Sequence, residues 1–251
     1  MTSAEPQIVS NQPRMGAAVS VDSPVIITID GPAGTGKSTV SQMLAARLGL
    51  DFLDTGAMYR AAAAILIDRN IDRQETGELI SAVLGADLHF DWSQDPPTIL
   101  AWDNPIDHRI RQADVTAVVS FVASIADLRH HMVRKQRVIG SQHPRLVTEG
   151  RDQGSVVFPD AAVKFYLDAN PEVRARRRVH QLAKRGDVVD LQEMCERIVK
   201  RDRMDSTRSD GPLMCPEDAI RVDTSTLSLE EVVDTLERYS RERIASMLDG
   251  P

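Results

Sequence analysis

The chain has 251 residues, of which 42% are hydrophobic and 27% charged, proportions that are ordinary for one large globular α/β domain. Its formal net charge of −7 disfavours a general nucleic-acid binder, because neutralising phosphates requires clustered lysine and arginine. No apolar run approaches the roughly 20 residues of a membrane-spanning helix, and the N-terminus lacks the pattern of a secretory signal. We therefore expect a cytoplasmic protein with unpaired thiols at Cys195 and Cys215, and a flexible extension over residues 1–23.

The first predicted element is a β-branched strand over residues 25–30, and a glycine-rich turn follows it at once. A helix is predicted from Lys37 to about Leu48, and Gly49 closes it. The next predicted elements are a turn at 54–56 that follows Phe52 and Leu53, and helices over 57–68 and 76–84. The strand, turn and helix at the start are the context that a phosphate-binding loop requires.

The middle of the chain changes character. Two short strands over 88–92 and 98–102 flank the turn at 95–97 and predict a small inserted antiparallel element. The remaining predicted elements are helices over 114–124, 126–139, 171–184, 191–205 and 229–248, and strands over 145–148, 163–167 and 219–222. Short apolar strands that alternate with helices predict a parallel sheet covered on both faces.

Residues 31–38, Gly-Pro-Ala-Gly-Thr-Gly-Lys-Ser, match the pattern G-x-x-x-x-G-K-[ST] of a phosphate-binding loop (P-loop) at every fixed position. Glycines let backbone N–H groups converge on phosphate oxygens, and the following helix turns its positive end towards the same anion. We expect Lys37 to reach the β- and γ-phosphates and the Ser38 hydroxyl to meet Mg²⁺. The predicted nucleotide-binding residues are Gly31, Pro32, Ala33, Gly34, Thr35, Gly36, Lys37, Ser38 and Thr39. The alternative is a glycine-rich turn without chemical consequence.

The class of P-loop protein follows from other segments. The chain has no N-K-x-D guanine-recognition motif and no convincing GTPase switch, and it lacks the strand with paired terminal acids that motor ATPases carry. Instead, the strand at 145–148 leads into Arg151 and Asp152 at the carboxyl edge of the sheet, where α/β proteins bind ligands. Arg151 suits bidentate phosphate recognition, and Asp152 suits an exocyclic amine or a nucleophile. A surface ion pair is the alternative.

Three segments resemble the bacterial cytidylate kinase family. They are Ile-Asp-Gly-Pro-Ala-Gly-Thr-Gly-Lys-Ser-Thr at 29–39, Leu-Asp-Thr-Gly-Ala-Met-Tyr-Arg at 53–60 and Glu-Gly-Arg-Asp-Gln-Gly-Ser-Val-Val-Phe-Pro-Asp at 149–160. The resemblance continues through 164–169, 201–208 and 223–225, and covers about 25–245 in order. It implies a P-loop NTPase-type three-layer fold with a parallel five-stranded sheet, a small antiparallel insert and a helical lid.

The resemblance also implies the division of the chain and its activity. Its parts would be a core over 24–54, 126–170 and 206–251, a monophosphate-binding region over 55–125 and a lid over 171–205. ATP would donate its γ-phosphoryl group, with Mg²⁺, to CMP and dCMP in pyrimidine nucleotide metabolism, and the protein would be a monomer. Two alternatives stay open: a kinase with another acceptor, such as UMP, AMP or a small hydroxyl metabolite, and a non-catalytic nucleotide sensor. An RNA-binding role is disfavoured by the acidic balance.

Individual residues take roles from the resemblance. Lys37, Arg151 and Arg201 would be catalytic, and the acceptor would be bound by Thr55, Tyr59, Arg60, Ser120, Arg129, Arg151, Asp152, Arg201, Asp205 and Arg208. Among these, Arg60, Arg151 and Arg201 would hold phosphate, while Ser120, Arg129 and Asp152 would recognise cytosine. Asp205 and Arg208 would meet the sugar and base. A core role for Tyr59 and a merely structural role for Ser120 are the alternatives.

The basic run on the predicted lid helix comprises Arg174, Arg176, Arg177 and Arg178, with Lys184 and Arg185 beyond. A lid would exclude water, and one or two of these arginines would stabilise the transferring group. A solvated charged face is the alternative. The chain departs from the family pattern at Gln153, Ser155 and Met204, where relatives carry Met, Thr and Arg, and at Thr55, which replaces Ser.

Overall fold

The protein is described here by a computed structural model that covers residues 24–184 and 186–248. The predicted extension over 1–23 and the basic residue Arg185 lie outside the described residues. Eight strands lie in the described part of the chain: β1 (Val25–Asp30), β2 (Asp51–Asp54), β3 (His89–Asp91), β4 (Thr98–Ala101), β5 (Asn104–Pro105), β6 (Arg145–Glu149), β7 (Val163–Asp168) and β8 (Ile220–Asp223). The α-helices in the same part are α1 (Lys37–Leu48), α2 (Thr55–Asp68), α3 (Thr76–Gly85), α4 (Ala113–Val122), α5 (Ala126–Gln142), α6 (Pro171–Ala183), α7 (Leu191–Thr207) and α8 (Leu229–Leu248).

A five-stranded sheet in the order β2-β6-β1-β7-β8 forms the middle layer, and all of its strand pairs are parallel. Successive side chains of a strand point to opposite faces, so Leu146 and Val147 of β6 enter different cores. One core joins the sheet to α1 and α8, and the other joins it to α2, α4 and α5. The expected three-layer fold with helices on both faces is confirmed.

The carboxyl edge of this sheet carries the site. β1 lies between β6 and β7, so the loops that follow these three strands emerge side by side. They are the P-loop, the segment that begins at Gly150 and continues as a π-helical turn over Gln153–Val157, and the connection to α6. This arrangement brings together segments that are more than a hundred residues apart in sequence.

The predicted turn at 54–56 is wrong. β2 ends at Asp54, and α2 begins directly at Thr55. Asp54 is the N-cap of the helix, because its carboxylate accepts a hydrogen bond from the Ala57 amide at 3.0 Å. Asp-Thr-Gly suits a turn and a helix start equally well, and the helix prevails here.

The inserted antiparallel element is confirmed as a sheet in the order β3-β4-β5. Its third strand, β5, has two residues and was not predicted, since so short a strand shows no period. Trp92 stacks on His143 at a centroid distance of 3.6 Å, and His143 Nδ1 lies 2.8 Å from a carboxylate oxygen of Asp51. The stack attaches the small sheet to the end of α5 and the start of β2.

The helices α6 and α7 pack against each other around a small core of their own, which Ala175, Met194 and Ile198 form. Side-chain caps begin both helices: Asn170 accepts from the Glu172 amide, and Asp190 accepts from the Glu193 amide. Across the described ranges, none of the helices has both the length and the apolar character needed to cross a membrane.

Candidate active site

The P-loop connects β1 to α1 with three glycines at positive φ. Gly31 lies so close to β7 that a Cβ at this position would approach the carbonyl oxygen of Leu167 to 2.0 Å. Because a side chain would clash, only glycine lets the loop pass this close to the edge of the sheet. Gly36 precedes the first turn of α1, and the exposed side chains of Ser38 and Thr39 lie in that turn.

Lys37 is buried and 5% exposed. Its Nζ donates a hydrogen bond to the carbonyl oxygen of Pro32 at 2.7 Å. Burial, together with the nearby charge of Arg151, lowers the pKa of Lys37 to about 7. The ammonium therefore lies inside the P-loop, where an anion would restore its charge.

The Ser38 hydroxyl donates to a carboxylate oxygen of Glu149 at 2.5 Å. Glu149 ends β6 and is the register partner of Asp54, the last residue of β2. Burial and the charge of Glu149 raise the pKa of Asp54 to about 7. Hydroxyl and carboxylate oxygens are hard donors of the kind that Mg²⁺ prefers, so this set fits the metal. Ser38 is the one protein contact to Mg²⁺ that we predicted from the sequence. Glu149 and Asp54 could have been found as acidic residues that end two strands, β6 and β2, which are neighbours in the sheet.

Three arginines surround the carboxylate of Asp205. Arg151 Nε donates to Asp205 at 3.0 Å, and Arg201 Nε and Arg208 Nη1 lie 3.9 Å from the same carboxylate. Burial raises the pKa of Asp205, but the charges of the three arginines, with Arg151 first, hold it below its usual value. Within the described residues, Arg201 Nε and Arg208 Nη2 are buried and have no hydrogen-bond partner. The cluster thus carries excess positive charge and unused donors, as an anion site does.

Arg60 extends the same positive region from α2. Its Nη1 donates to the Thr116 hydroxyl at 3.0 Å. Burial lowers the pKa of Arg60, and the charges of Arg178 and Arg151 lower it further. Burial and the charges of Arg151 and Arg60 likewise lower the pKa of Arg201, to about 10. The charges of Arg60, Arg151 and Arg201 thus influence one another, and their joint binding of one phosphate stays a prediction.

Arg129 and Asp152 form a buried ion pair, with relative exposures of 2% and 3%. Arg129 also donates to the carbonyl oxygen of Ala123 at 3.2 Å and lies 5.3 Å from the ring centroid of Tyr59. Tyr59 belongs to the hydrophobic core as well, and burial raises its pKa to about 12. Tyr59 therefore lies both in the core and beside the pair, with the Arg129 guanidinium over its ring.

A segment after α7, residues 208–213, covers this pair. Arg208 Nε donates to the carbonyl oxygen of Gly211 at 2.6 Å, and the Leu213 amide donates to the backbone carbonyl oxygen of Asp205 at 2.8 Å. Gly211 has φ of 55°, and a Cβ on it would lie 2.2 Å from Asp152 Oδ2. Gly211 was not predicted, because a single glycine in a polar loop carries no distinctive signal.

Two predicted acceptor residues lie at the margin of this cluster. The Thr55 hydroxyl is buried and donates to the carbonyl oxygen of Glu149 at 2.7 Å, so it ties α2 to the end of β6. Ser120 is half-buried on α4, a helix that packs against α2. Both lie on elements of the acceptor side, and their contacts with an acceptor stay a prediction.

The basic run on α6 divides into different roles. Arg174 is 3% exposed and donates to the carbonyl oxygens of Ala169 at 2.9 Å and Ala33 at 3.0 Å, and to Asp202 at 2.6 Å. Arg177 Nη1 donates to the Thr224 hydroxyl at 3.0 Å and lies 3.4 Å from the carbonyl oxygen of Thr35. Both arginines therefore hold carbonyl groups of the P-loop.

The other two arginines of the run lie differently. The side chain of Arg176 is 67% exposed and lies 3.7 Å from Glu172, one turn away, so the interpretation as a solvated face holds for it. Arg178 donates to Gln181 at 2.6 Å, and its charge lowers the pKa of Arg60. The charge of Arg178 thus acts on Arg60, one of the residues of the positive region.

An open cleft of about 700 Å³ lies beside the P-loop at the ends of β7 and β8. Its lining includes Asp168, Asn170, Arg174, Asp223, Ser225 and Thr226. Because Arg174 also contacts Ala33, the cleft adjoins the P-loop on the side away from the Arg129–Asp152 pair.

A P-loop and a buried arginine cluster at one sheet edge define a P-loop phosphotransferase. The family can now be given, because the sequence model of the family described as cytidylate kinase matches residues 27–242. The chain belongs to this family.

Individual relatives agree with this assignment. A cytidylate kinase of Corynebacterium efficiens is 44% identical over 217 residues, which cover 86% of this chain and 94% of that protein. A cytidylate kinase of Methylococcus capsulatus is 42% identical, with coverage of 83% and 93%. Among solved structures, an uncharacterized protein from Eubacterium ventriosum matches with a TM-score of 0.49 and 12% identity, covering 87% of this chain and 99% of that one. The last similarity is too weak to carry an argument.

Proposed function

We propose that this chain transfers the γ-phosphoryl group of ATP to CMP, giving ADP and CDP, with dCMP as a second acceptor. The observation that carries the proposal is the Asp205-centred arginine cluster beside the P-loop. A site with two separate groups of phosphate-binding side chains suits a donor and an acceptor that both carry phosphate.

On the donor side, the P-loop amides and Lys37 would hold the β- and γ-phosphates, and the nucleoside would lie in the cleft at the ends of β7 and β8. Ser38, with Glu149 and Asp54 directly or through water, would hold Mg²⁺. When bound, the metal neutralises charge on the phosphates. Lys37 would leave the Pro32 carbonyl oxygen for the stronger acceptor that a phosphate offers.

On the acceptor side, Arg60, Arg151 and Arg201 would hold the phosphate of CMP in line with the donor. That phosphate is already ionised, so no strong general base is required. The Asp152 carboxylate would accept from the exocyclic amine of cytosine, whereas uracil would present a carbonyl oxygen to the same carboxylate. Arg208 and Asp205 would meet the sugar and base.

The same proposal covers the division of the chain. The core would comprise 24–54, 126–170 and 206–251, the acceptor region 55–125 and the lid 171–205, all within one monomer. The separate small core between α6 and α7 supports a lid that moves as a unit. Closure would exclude water from the transferring group.

The proposal is tested by ADP release from MgATP in a coupled assay with CMP, dCMP, UMP, AMP, GMP and shikimate as parallel acceptors. We expect CMP and dCMP to give the highest kcat/KM. Dominance of another acceptor would require new roles for Ser120, Arg129, Asp152 and Arg208. No acceptor-dependent release at all would favour a nucleotide sensor instead.

A further inference from the structure

A buried carboxylate connects the two halves of the site. Asp30 is the last residue of β1, immediately before the P-loop, and it is 1% exposed. Its Oδ1 accepts a hydrogen bond from the Gln153 amide at 2.9 Å, and its Oδ2 accepts from the Gly154 amide at 2.7 Å. Both oxygens are therefore engaged by the backbone of one turn.

That turn begins directly after two residues that we propose bind the acceptor. The π-helical turn over Gln153–Val157 follows Arg151 and Asp152 directly. The first amides of a helical turn have no acceptor within the turn itself, and the Asp30 carboxylate satisfies two of them from the neighbouring strand. Asp30 thus acts as a cap that is distant in sequence, more than a hundred residues from the turn.

A second contact fixes the turn against the same strand. A Cβ at Gly154 would lie 2.8 Å from the Thr28 hydroxyl, so the turn approaches β1 more closely than any other residue type allows. Because β1 runs straight into Gly31, the position of the turn and the position of the P-loop are set by one strand. The spacing between donor phosphates and acceptor site depends on this junction.

We propose that Asp30 is a positioning residue for acceptor recognition, which orients Arg151 and Asp152 relative to the P-loop by holding the amides of Gln153 and Gly154. The inference rests on the proposed function, since it concerns how the acceptor is bound. It assigns Asp30 no contact with either nucleotide.

The surroundings of Asp30 act on its carboxylate in opposite directions. Burial raises the pKa of Asp30 to about 7, the charge of Asp152 acts in the same direction, and the two amides and Lys37 oppose the shift. A carboxylate accepts both amide hydrogens, whereas an asparagine amide accepts one and directs its own N–H₂ group at the other. Asp30→Asn therefore changes one contact at nearly constant volume.

The experiment compares Asp30→Asn with the wild-type protein in two measurements: the KM for CMP at saturating MgATP, and the Kd for Mg²⁺-AMP-PNP by calorimetry. We expect the KM for CMP to rise by about tenfold, the effect of losing a hydrogen bond to a charged acceptor. The Kd for AMP-PNP should change by less than about threefold, since the P-loop keeps its own contacts. A fall in kcat alone, or a larger effect on AMP-PNP than on CMP, would overturn the inference.

Asp72→Asn is the matched control. Asp72 is an exposed carboxylate that accepts from the backbone amide of Gln74 at 2.8 Å, so it loses the same kind of bond outside the site. Both constants should stay at their wild-type values in this variant. If Asp30→Asn does not fold, Asp30→Thr keeps one acceptor oxygen on a residue that suits a strand, and the same split between the two constants is expected.

A double-mutant cycle with Asp152→Ala distinguishes an effect of Asp30 on the position of Asp152 from an unspecific destabilisation of the fold. If Asp30 acts through the turn, Asp30→Asn should raise the KM for CMP by less than about twofold once Asp152 is gone. Independent, multiplying effects would contradict the inference. A wild-type protein that does not phosphorylate CMP would instead defeat the proposed function itself, so the two failures are distinguishable.

Discussion

The pKa of Lys37 in the folded chain lies near neutral pH. Its pKa falls from 10.5 in a solvated lysine to about 7, because burial and the charge of Arg151 disfavour the ammonium. Between these two values the unfolded chain binds a proton that the folded chain does not, so the destabilisation caused by burying this ammonium is relieved as pH rises from 7 to 10.5. Bound phosphates reverse the balance, because their negative charge favours the ammonium.

We therefore predict that binding of Mg²⁺-AMP-PNP at pH 8 takes up about one proton per site, and that its affinity declines as pH rises further. Calorimetry in buffers of different ionisation enthalpy measures this uptake. Lys37→Met should abolish it, even where binding is weaker. Proton uptake that persists in Lys37→Met would have to come from another group.

Some residues of the site could be predicted from the sequence, and others could not. The P-loop was predictable because four fixed positions and the flanking strand and helix specify one structure. Asp30 and Asp54 were not, because a carboxylate at a strand end becomes informative only once its spatial neighbours are known. One or two arginines of the basic run on α6 were expected to stabilise the transferring group, without a choice among them. The hydrogen bonds of Arg174 and Arg177 to P-loop carbonyls depend on the packing of α6, which the sequence pattern does not fix.

Among the helices and strands, those whose hydrophobic pattern repeats over many residues were predicted best. The expected bounds of α8 agree with Leu229–Leu248 in full, since a 20-residue amphipathic pattern is hard to mistake. The two-residue strand β5 and the direct passage from β2 to α2 were missed, because their positions follow from pairing and capping. The acceptor cluster was predictable mainly through the family resemblance, as its members lie on separate elements.

The segment over 208–213 is the element with the clearest mutational test. Gly211→Ala would place a Cβ 2.2 Å from Asp152 Oδ2, at a φ of 55° that L-residues rarely adopt. The segment must move away, and the bond from Arg208 to Gly211 would be lost. We predict that the KM for CMP rises by about tenfold or more, while the Kd for AMP-PNP stays unchanged.

Gly77→Ala provides the control for this substitution. Gly77 lies in α3, and a Cβ there meets no atom within 4 Å. Alanine also favours a helix over glycine, so stability and both constants should be equal to or slightly better than wild type. A Gly211→Ala variant with a normal KM for CMP would show that the segment does not control access to the Arg129–Asp152 pair.

At the scale of the whole molecule, Arg174 is a buried side chain that joins the α6–α7 pair, the proposed lid, to the rest. Arg174 begins on α6 and contacts the end of β7 at Ala169, the P-loop at Ala33 and α7 at Asp202. Because α6 and α7 pack on a small core of their own, contacts of this kind determine how firmly the pair is attached. Arg174 therefore links the stability of the α6–α7 pair to the geometry of the P-loop.

Arg174→Met keeps most of the buried volume and removes all three contacts, leaving the Asp202 carboxylate without this partner. Breaking a buried ion pair costs about 3 kcal/mol of unfolding free energy, which lowers Tm by roughly 6–12 °C in a chain of this length. The Kd for AMP-PNP should also increase, because the Ala33 carbonyl is no longer held.

Arg176→Met on the same helix is the control. It removes only an exposed ion pair, and it should leave Tm and the Kd for AMP-PNP unchanged. Equal effects from both variants would mean that the basic run acts through its net charge, whereas the contrast we expect assigns the effect to the contacts of Arg174.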